Sequence, residues 1–253
     1  MLYVGPQYHA MHHLDPQNYF GSTLRLVDWI IGSAVSLRGR RVAMTGSNGA
    51  LGQALTHRLN LEHVKCIESL RFGIEWSYDT YAALAPILAD TDILILAHGS
   101  KDCEDPVRAN CESAVAIIEL FRRIRPPSLK PEALPEVWYV GSEAELHGAW
   151  SRRMQPYTEA KRAFVPFARA YYDNKTIIYR HIVPAAFRSS MGPALVTAHW
   201  AAAVALWWIK RGARYVPVTY TGFAYANYFR FKYHVKPFDA SIGHVDSVNH
   251  SDS

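Results

Sequence analysis

Tyr157 and Lys161, in "YTEAK", are the pair in this sequence best suited to moving a proton. Four residues apart on a helix, their side chains share one face. A free phenol, with a pKa of about 10, is a poor acid–base group at neutrality. A neighbouring ammonium favours its ionised form and brings it toward working range. The YxxxK spacing occurs three times, so position has to select among the copies. Tyr171/Lys175 spans "DN", where a helix is expected to end, and Tyr228/Lys232 lies beyond the last expected strand. Tyr157/Lys161 alone opens a helix just after a strand end, and Ser142, in "YVGSEAE" at that strand end, is placed to hydrogen-bond a carbonyl oxygen beside Tyr157.

A second constellation is "TGSNGALG", Thr45–Gly52, between an apolar run and a helix-length segment. Its Gly46, Gly49 and Gly52 let backbone approach a pyrophosphate, and the helix that follows supplies free N–H donors. Ser47, Asn48 and Leu51 complete the turn, and no phosphate-gripping GK[ST] follows. The end of the next strand, "ESLR", offers both Glu68 and Arg71. A base there favours a ribose 2′-phosphate and an acid a bare hydroxyl, so Arg71 just past the strand favours NADP over NAD. Arg40 or Arg41 would add positive potential.

The elements that must hold these groups alternate strand and helix after about residue 36, the pattern of a parallel sheet with crossover helices. Strands are expected at "RRVAMT", "VKCIES", "GIEW", "DILILAHG", "EVWYVGS", "KTIIYRHIV" and "RYVPV". Helices are expected from about residue 50 to Leu59, from Pro106 to Ile124, over "YTEAKRAFVPFARAYY" and over "ALVTAHWAAAVALWWIK". The proline-rich stretch 126–135 reads as a connection, and the polar tail from Lys236 as disordered.

The 253 residues, 49% apolar and 19% charged, suffice for one large domain. Lys and Arg are scattered rather than striped, so the charge of +5 does not point to nucleic acid. Three cysteines without a CxxC pair fit reduced thiols in a cytoplasmic setting. No signal peptide is read at the start. The uncharged run from Ser189 to Ile209 reads as a loop leading into a buried helix, with peripheral membrane contact through its tryptophans as the lesser alternative.

Thr45–Gly52, Ser142, Tyr157 and Lys161, in this order, resemble the short-chain dehydrogenase/reductase family over roughly residues 38–220. The resemblance implies a three-layer α/β fold, a Rossmann-like doubly wound parallel sheet of strand order 3-2-1-4-5-6-7, in a dimer or tetramer. It implies NAD(P)(H)-dependent interconversion of a small-molecule carbonyl and alcohol. Tyr157 would exchange the proton, Lys161 would bind the nicotinamide ribose and lower the tyrosine pKa, and Ser142 would orient the substrate. Asn110, in "RANCES", matches the residue that holds a relay water. Pro184 and Ser189 fall in the loop near the nicotinamide. The family's "NAG" after the fourth strand is "AHG" here: Ala97 and Gly99 line the cofactor, and His98 weakens one packing contact. The Trp- and Tyr-rich stretch around Trp200, Trp207, Trp208 and Tyr220 points to an apolar, lipid-like substrate.

The opening stretch "YHAMHHLDPQNYFGSTLRLVDWIIGSA" is similar to the end of the fatty acid hydroxylase/sterol desaturase domain. The chain as a whole resembles the C-terminal half of bifunctional sterol desaturase/short-chain dehydrogenase proteins. His9, His12 and His13 supply at most three imidazoles, too few for a di-iron centre, so the motif reads as vestigial and no metal is expected. Residues 1–36 are thus a remnant, 37–235 the dinucleotide-binding domain and 236–253 a tail. Two rival readings are a catalytically silent nucleotide-binding scaffold and a docking partner of a membrane desaturase or hydroxylase.

Overall fold

In the computed structural model the described residues are 12–13, 18–21, 26–100, 103–125, 134–149, 151–189 and 194–239. Six strands form one parallel sheet: β1 (Arg41–Thr45), β2 (Cys66–Leu70), β3 (Ile93–Leu96), β4 (Glu136–Val140), β5 (Ile178–Pro184) and, after a short pair β6 (Phe187–Arg188) and β7 (Val196–Thr197), β8 (Tyr215–Val218). Their order is β2-β1-β3-β4-β5-β8, every pairing parallel. The "ILIL" of β3 and "EVWYV" of β4 are buried at every position, as strands covered on both faces must be.

Alternate strand residues feed two cores. Val42, Met44, Ile93, Ile95 and Trp138 meet α2 (Ala50–Leu61) and α7 (Ala198–Lys210) through Leu55, Ala201, Ala205 and Ile209. Ala43, Leu94, Leu96, Val137 and Tyr139 meet α4 (Ser113–Ile124) and α6 (Gln155–Asp173) through Ile117, Phe121 and Phe164. The result is the three-layer doubly wound fold expected. Short helices α1 (Leu26–Ile31), α3 (Ala85–Ala89) and α5 (Ala144–His147) lie between these elements. A further helix, α8 (Phe223–Tyr233), follows the last strand and was not anticipated. Among the described residues no helix is long and apolar enough to cross a membrane.

Two expectations are corrected. "GIEW" is not a strand, so the sheet has six strands, and its order matches the expected one without the third. Gly73 adopts φ +80° and its N–H donates to the Trp76 carbonyl at 2.7 Å, which reverses the chain. Trp76 folds back under the sheet edge, 3% exposed, with its indole donating to the Leu70 carbonyl. The second correction concerns the helix expected from Ala194. It begins at Ala198, where Thr197 Oγ1 accepts from the Trp200 N–H. Residues 240–253 of the expected tail, and His9, lie outside the described residues.

Candidate active site

The glycine turn follows β1 at the carboxyl edge of the sheet. Gly46 has φ +69°, and a side chain there would put Cβ 2.5 Å from the Ala97 carbonyl oxygen. At Gly52 a Cβ would lie 2.1 Å from the Gly46 oxygen, so helix and turn close only because neither has one. No side chain caps α2 at Gly49. Its first turn therefore presents backbone N–H groups and the positive end of the helix dipole. Ser47 and Leu51 are buried, whereas Asn48 and Gly49 face outward.

The end of β3 links this turn to the reacting groups. Gly99 is exposed, and a Cβ there would lie 2.7 Å from Asn110 Oδ1 and 3.5 Å from Lys161 Nζ. Asn110, 1% exposed, donates from Nδ2 to the Ser100 and Pro106 carbonyls and accepts the Ser100 N–H. It sits in a π-helical turn, Arg108–Glu112, that leads into α4. Lys161, 2% exposed, donates to the Val140 carbonyl at 3.0 Å and to Tyr139 Oη at 3.2 Å, and Tyr139 donates in turn to the Asn110 carbonyl at 3.2 Å. Lys161, Tyr139 and Asn110 thus form a buried hydrogen-bonded chain with the Tyr139 phenol as its middle link.

Tyr157 is half-buried one turn before Lys161, with the ammonium 5.8 Å from its ring centre. Burial, reinforced by the nearby Glu145 carboxylate, pushes the Tyr157 phenol up, so the group is a protonated acid. This reverses the expected direction. The Lys161 amine is tied to Tyr139 and Val140, and burial lowers its own pKa to about 8 against the opposing pull of Glu145. Ser142 is half-buried at the end of β4, and its Oγ accepts from the Ala144 N–H at 3.2 Å.

Glu145 is the site residue that sequence reasoning missed. It is fully buried, accepts the Ser142 N–H at Oε1 and has Oε2 3.0 Å from His181 Nε2. His181 Nδ1 meets Tyr179 Oη at 2.9 Å. A Cβ at Gly141 would lie 2.2 Å from Glu145 Oε1, so the glycine of "VGS" makes room for this carboxylate. His98, expected to weaken a contact, instead makes two: Thr45 Oγ1 at 2.6 Å and Ser113 Oγ at 2.9 Å. Burial, with Lys161 nearby, lowers its pKa to about 3, so it stays a neutral brace between β1, β3 and α4.

Other expected residues fall less centrally. Pro184 ends β5, and its carbonyl accepts the Glu143 N–H. Ala97 donates to the Thr45 carbonyl. Ser189 follows β6 beyond Pro184, half-buried. Arg71 does follow β2, but its guanidinium is paired with Glu75 at 2.5 Å on an exposed turn. Arg40 and Arg41 cannot reinforce the cofactor site. They open β1 at the opposite edge, paired with Glu136 and Asp90, and the five-residue strand is about 16 Å long. The second YxxxK is divided by the end of α6 at Asp173, and the third lies within α8, where Lys232 faces Asp173. Among the described residues no group of His, Cys, Asp or Glu is disposed to hold a metal ion, and His12 Nδ1 lies 2.9 Å from the Asn18 carbonyl.

No family model matches the chain. A curated relative, monoglucosyldiacylglycerol epimerase from Synechocystis, is 28% identical over 89% of this chain. The chain spans 62% of that relative's length. Solved structures share the fold at low identity. A short-chain dehydrogenase from Burkholderia cenocepacia in complex with NADP superposes with TM-score 0.62 at 16% identity, covering 76% of this chain and 94% of that one. A short-chain dehydrogenase/reductase from Burkholderia phymatum in complex with NAD gives 0.60 at 14%, covering 81% and 98%. The bulky-bulky ketone specific alcohol dehydrogenase from Comamonas testosteroni gives 0.56 at 14%, covering 85% and 96%.

Proposed function

We propose that this chain binds NAD(P)(H) over the glycine turn and interconverts a secondary alcohol and a ketone, on the sugar headgroup of a glycolipid. The observation that carries the reading is the strand end Ala97–Gly99. It abuts Gly46 of the turn on one side and the Asn110–Lys161 pair on the other. The fit is supported because glycines at 46, 52 and 99 let turn, helix and strand end pack directly against one another, which leaves the uncapped first turn of α2 open at the exposed Asn48 and Gly49. Gly46, Ser47, Asn48, Gly49, Leu51 and Gly52 would hold the pyrophosphate, with Ala97, Gly99, Pro184 and Ser189 toward the nicotinamide. The bound nicotinamide supplies hydride transfer.

In this reading Tyr157 carries the proton, accepting the carbinol hydroxyl proton in its ionised form when the alcohol is oxidised and returning it when the ketone is reduced. As a protonated phenol it is suited to donate to a carbonyl oxygen, and the Ser142 hydroxyl orients that oxygen. Lys161 would hydrogen-bond the cofactor ribose, and its bonds to Val140 and to Tyr139, which donates in turn to the Asn110 carbonyl, hold the ammonium in position. Glu145 holds the Ser142 backbone from below. The epimerase relative supports a redox-neutral version: oxidation of a ring carbinol to a ketone, then reduction from the opposite face, inverts one carbon with no net change in oxidation state. Residues 37–235 carry this chemistry, and residues 1–36 form a separate hydroxylase/desaturase-like segment.

Tyr157→Phe tests the assignment. Turnover, read as epimer formed from a glucosyl lipid with catalytic NAD(P) or as NAD(P)H oxidised with a ketone, should fall by about 10³-fold. Cofactor affinity should stay within about twofold of wild type. Equal turnover by both proteins would refute the role of Tyr157.

A further inference from the structure

The α8 helix is not absorbed by the chemistry above. It buries Ala224, Asn227 and Phe231 and turns Tyr225, Phe229 and Tyr233 outward, at 49%, 60% and 70% exposure. Spaced by four residues, these three form one stripe along the helix. Phe223 and Tyr220, also exposed, extend it to the carboxyl edge of the sheet, where Phe223 lies 5.7 Å from the His147 ring and Tyr220 6.5 Å from Trp200. The helix is fastened to the active-site segment itself. Glu143 accepts from Thr221 Oγ1 and from the Ala224 N–H, and Arg230 donates to the Glu145 carbonyl at 2.6 Å. Residues 219–239 contain Arg230, Lys232 and Lys236 against Asp239, a net positive charge, and Lys232 also faces Asp173 at 3.7 Å.

We infer that this aromatic face is a docking surface for an anionic lipid bilayer, which brings the carboxyl edge of the sheet down onto the headgroups. The inference rests on the glycolipid reading: a diacyl lipid stays in its membrane, so the reacting groups have to come to the surface. Tyrosine and phenylalanine suit the headgroup boundary, where an apolar ring and a polar tip are both satisfied. The net positive charge is complementary to anionic lipid, whose surface potential attracts basic residues near it. A second copy of this face would bring like charge against like. Attachment is peripheral, by a helix lying flat.

A second apolar face gives the internal control. The α1 helix buries its Asp28 and exposes Leu26, Val27, Trp29, Ile30 and Ile31. It lies at the other end of α7, where Arg211 Nη2 donates to the Ile30 carbonyl. The two faces lie on opposite layers, α1 beside α7 and α8 packed into the other core through Ala224 and Phe231, so one flat bilayer engages one of them.

Flotation with phosphatidylcholine vesicles, with and without phosphatidylglycerol, tests the inference. Wild type should float with the anionic vesicles and lose binding in high salt. The triple variant Y225S/F229S/Y233S should bind at least about tenfold less, and Lys236→Glu severalfold less. Both variants should retain NAD(P)H affinity and turnover of a water-soluble ketone. Loss of cofactor binding by wild type itself would instead strike the oxidoreductase reading. The docking surface is overturned if wild type floats with neither vesicle, or if the triple variant floats like wild type. It is equally overturned if W29S/I30S abolishes flotation instead, or if the triple variant turns a wild-type dimer into a monomer.

Discussion

The two edges of the sheet each bury a polar network, and they are built on opposite principles. At the amino edge, Glu136 and Arg180, both 2% exposed, meet at 2.7 Å, with Arg40 at 3.8 Å and the Trp138 indole on the same carboxylate. Burial alone would raise the Glu136 pKa, but Arg180 and Arg40 hold it below the usual carboxylate range. At the carboxyl edge Lys161, equally buried, hydrogen-bonds neutral oxygens and is left titrating at about 8. One edge locks its charges in matched pairs. The other keeps an amine and a phenol whose protons are free to move, and that is the edge where ligands bind in open α/β sheets.

Breaking the pair at the amino edge should have the largest effect on stability. Arg180→Met leaves Glu136 buried with only the distant Arg40, and thermal or urea unfolding should report a loss of about 3–5 kcal/mol. Turnover per folded molecule should not change. A comparable loss of turnover would mean that the edges are not separate in function.

Glu145→Gln sharpens the other side of the comparison. Turnover should fall with rising pH as Lys161 loses its proton near 8, and Glu145 holds both the Lys161 and Tyr157 values up. Removing its charge should move that basic limb down by up to about one pH unit and cut kcat by about tenfold. An unchanged pH profile would reduce Glu145 to a packing residue.

His98→Gln addresses stability against pH. Folding holds the His98 value at about 3, below its ordinary 6.5, so the unfolded chain takes up a proton in this window and the folded chain does not. Stability is therefore lost as pH falls from 6.5 toward 3, at no more than about 1.4 kcal/mol per pH unit. The variant should show a shallower acid dependence in urea titrations. The smallest effect is expected for Arg71→Ala. The exposed pair with Glu75 contributes little to stability. If Arg71 leaves it for a 2′-phosphate, NADPH binding should weaken severalfold with NADH unaffected.

What the sequence disclosed follows from how local each signal is. The glycine turn and Tyr157/Lys161 sit within single strand–turn–helix units, so local pattern and position singled them out, whereas Asn110 was named only through the family resemblance. Glu145, His181 and Tyr139 meet only because β4, β5 and the segment after β4 pack together, and no spacing encodes that. "GIEW" carries strand-forming residues, yet Gly73 turns the chain before they can pair. The α8 segment is rich in aromatics that favour strands in isolation, and it is a helix that packs its Tyr228 and Phe231 against Tyr215 of β8.

The absence of a strand at 73–76 has one more consequence. Among the described residues no strand pairs with the outer side of β2, so β2 is one rim of the sheet, and a row of backbone donors and acceptors faces outward there as a template for pairing with another chain. Its five residues, the outward Glu68 and Ser69, and the sharp Gly73 reversal keep that template short, charged and bent, which guards the protein against edge-to-edge aggregation.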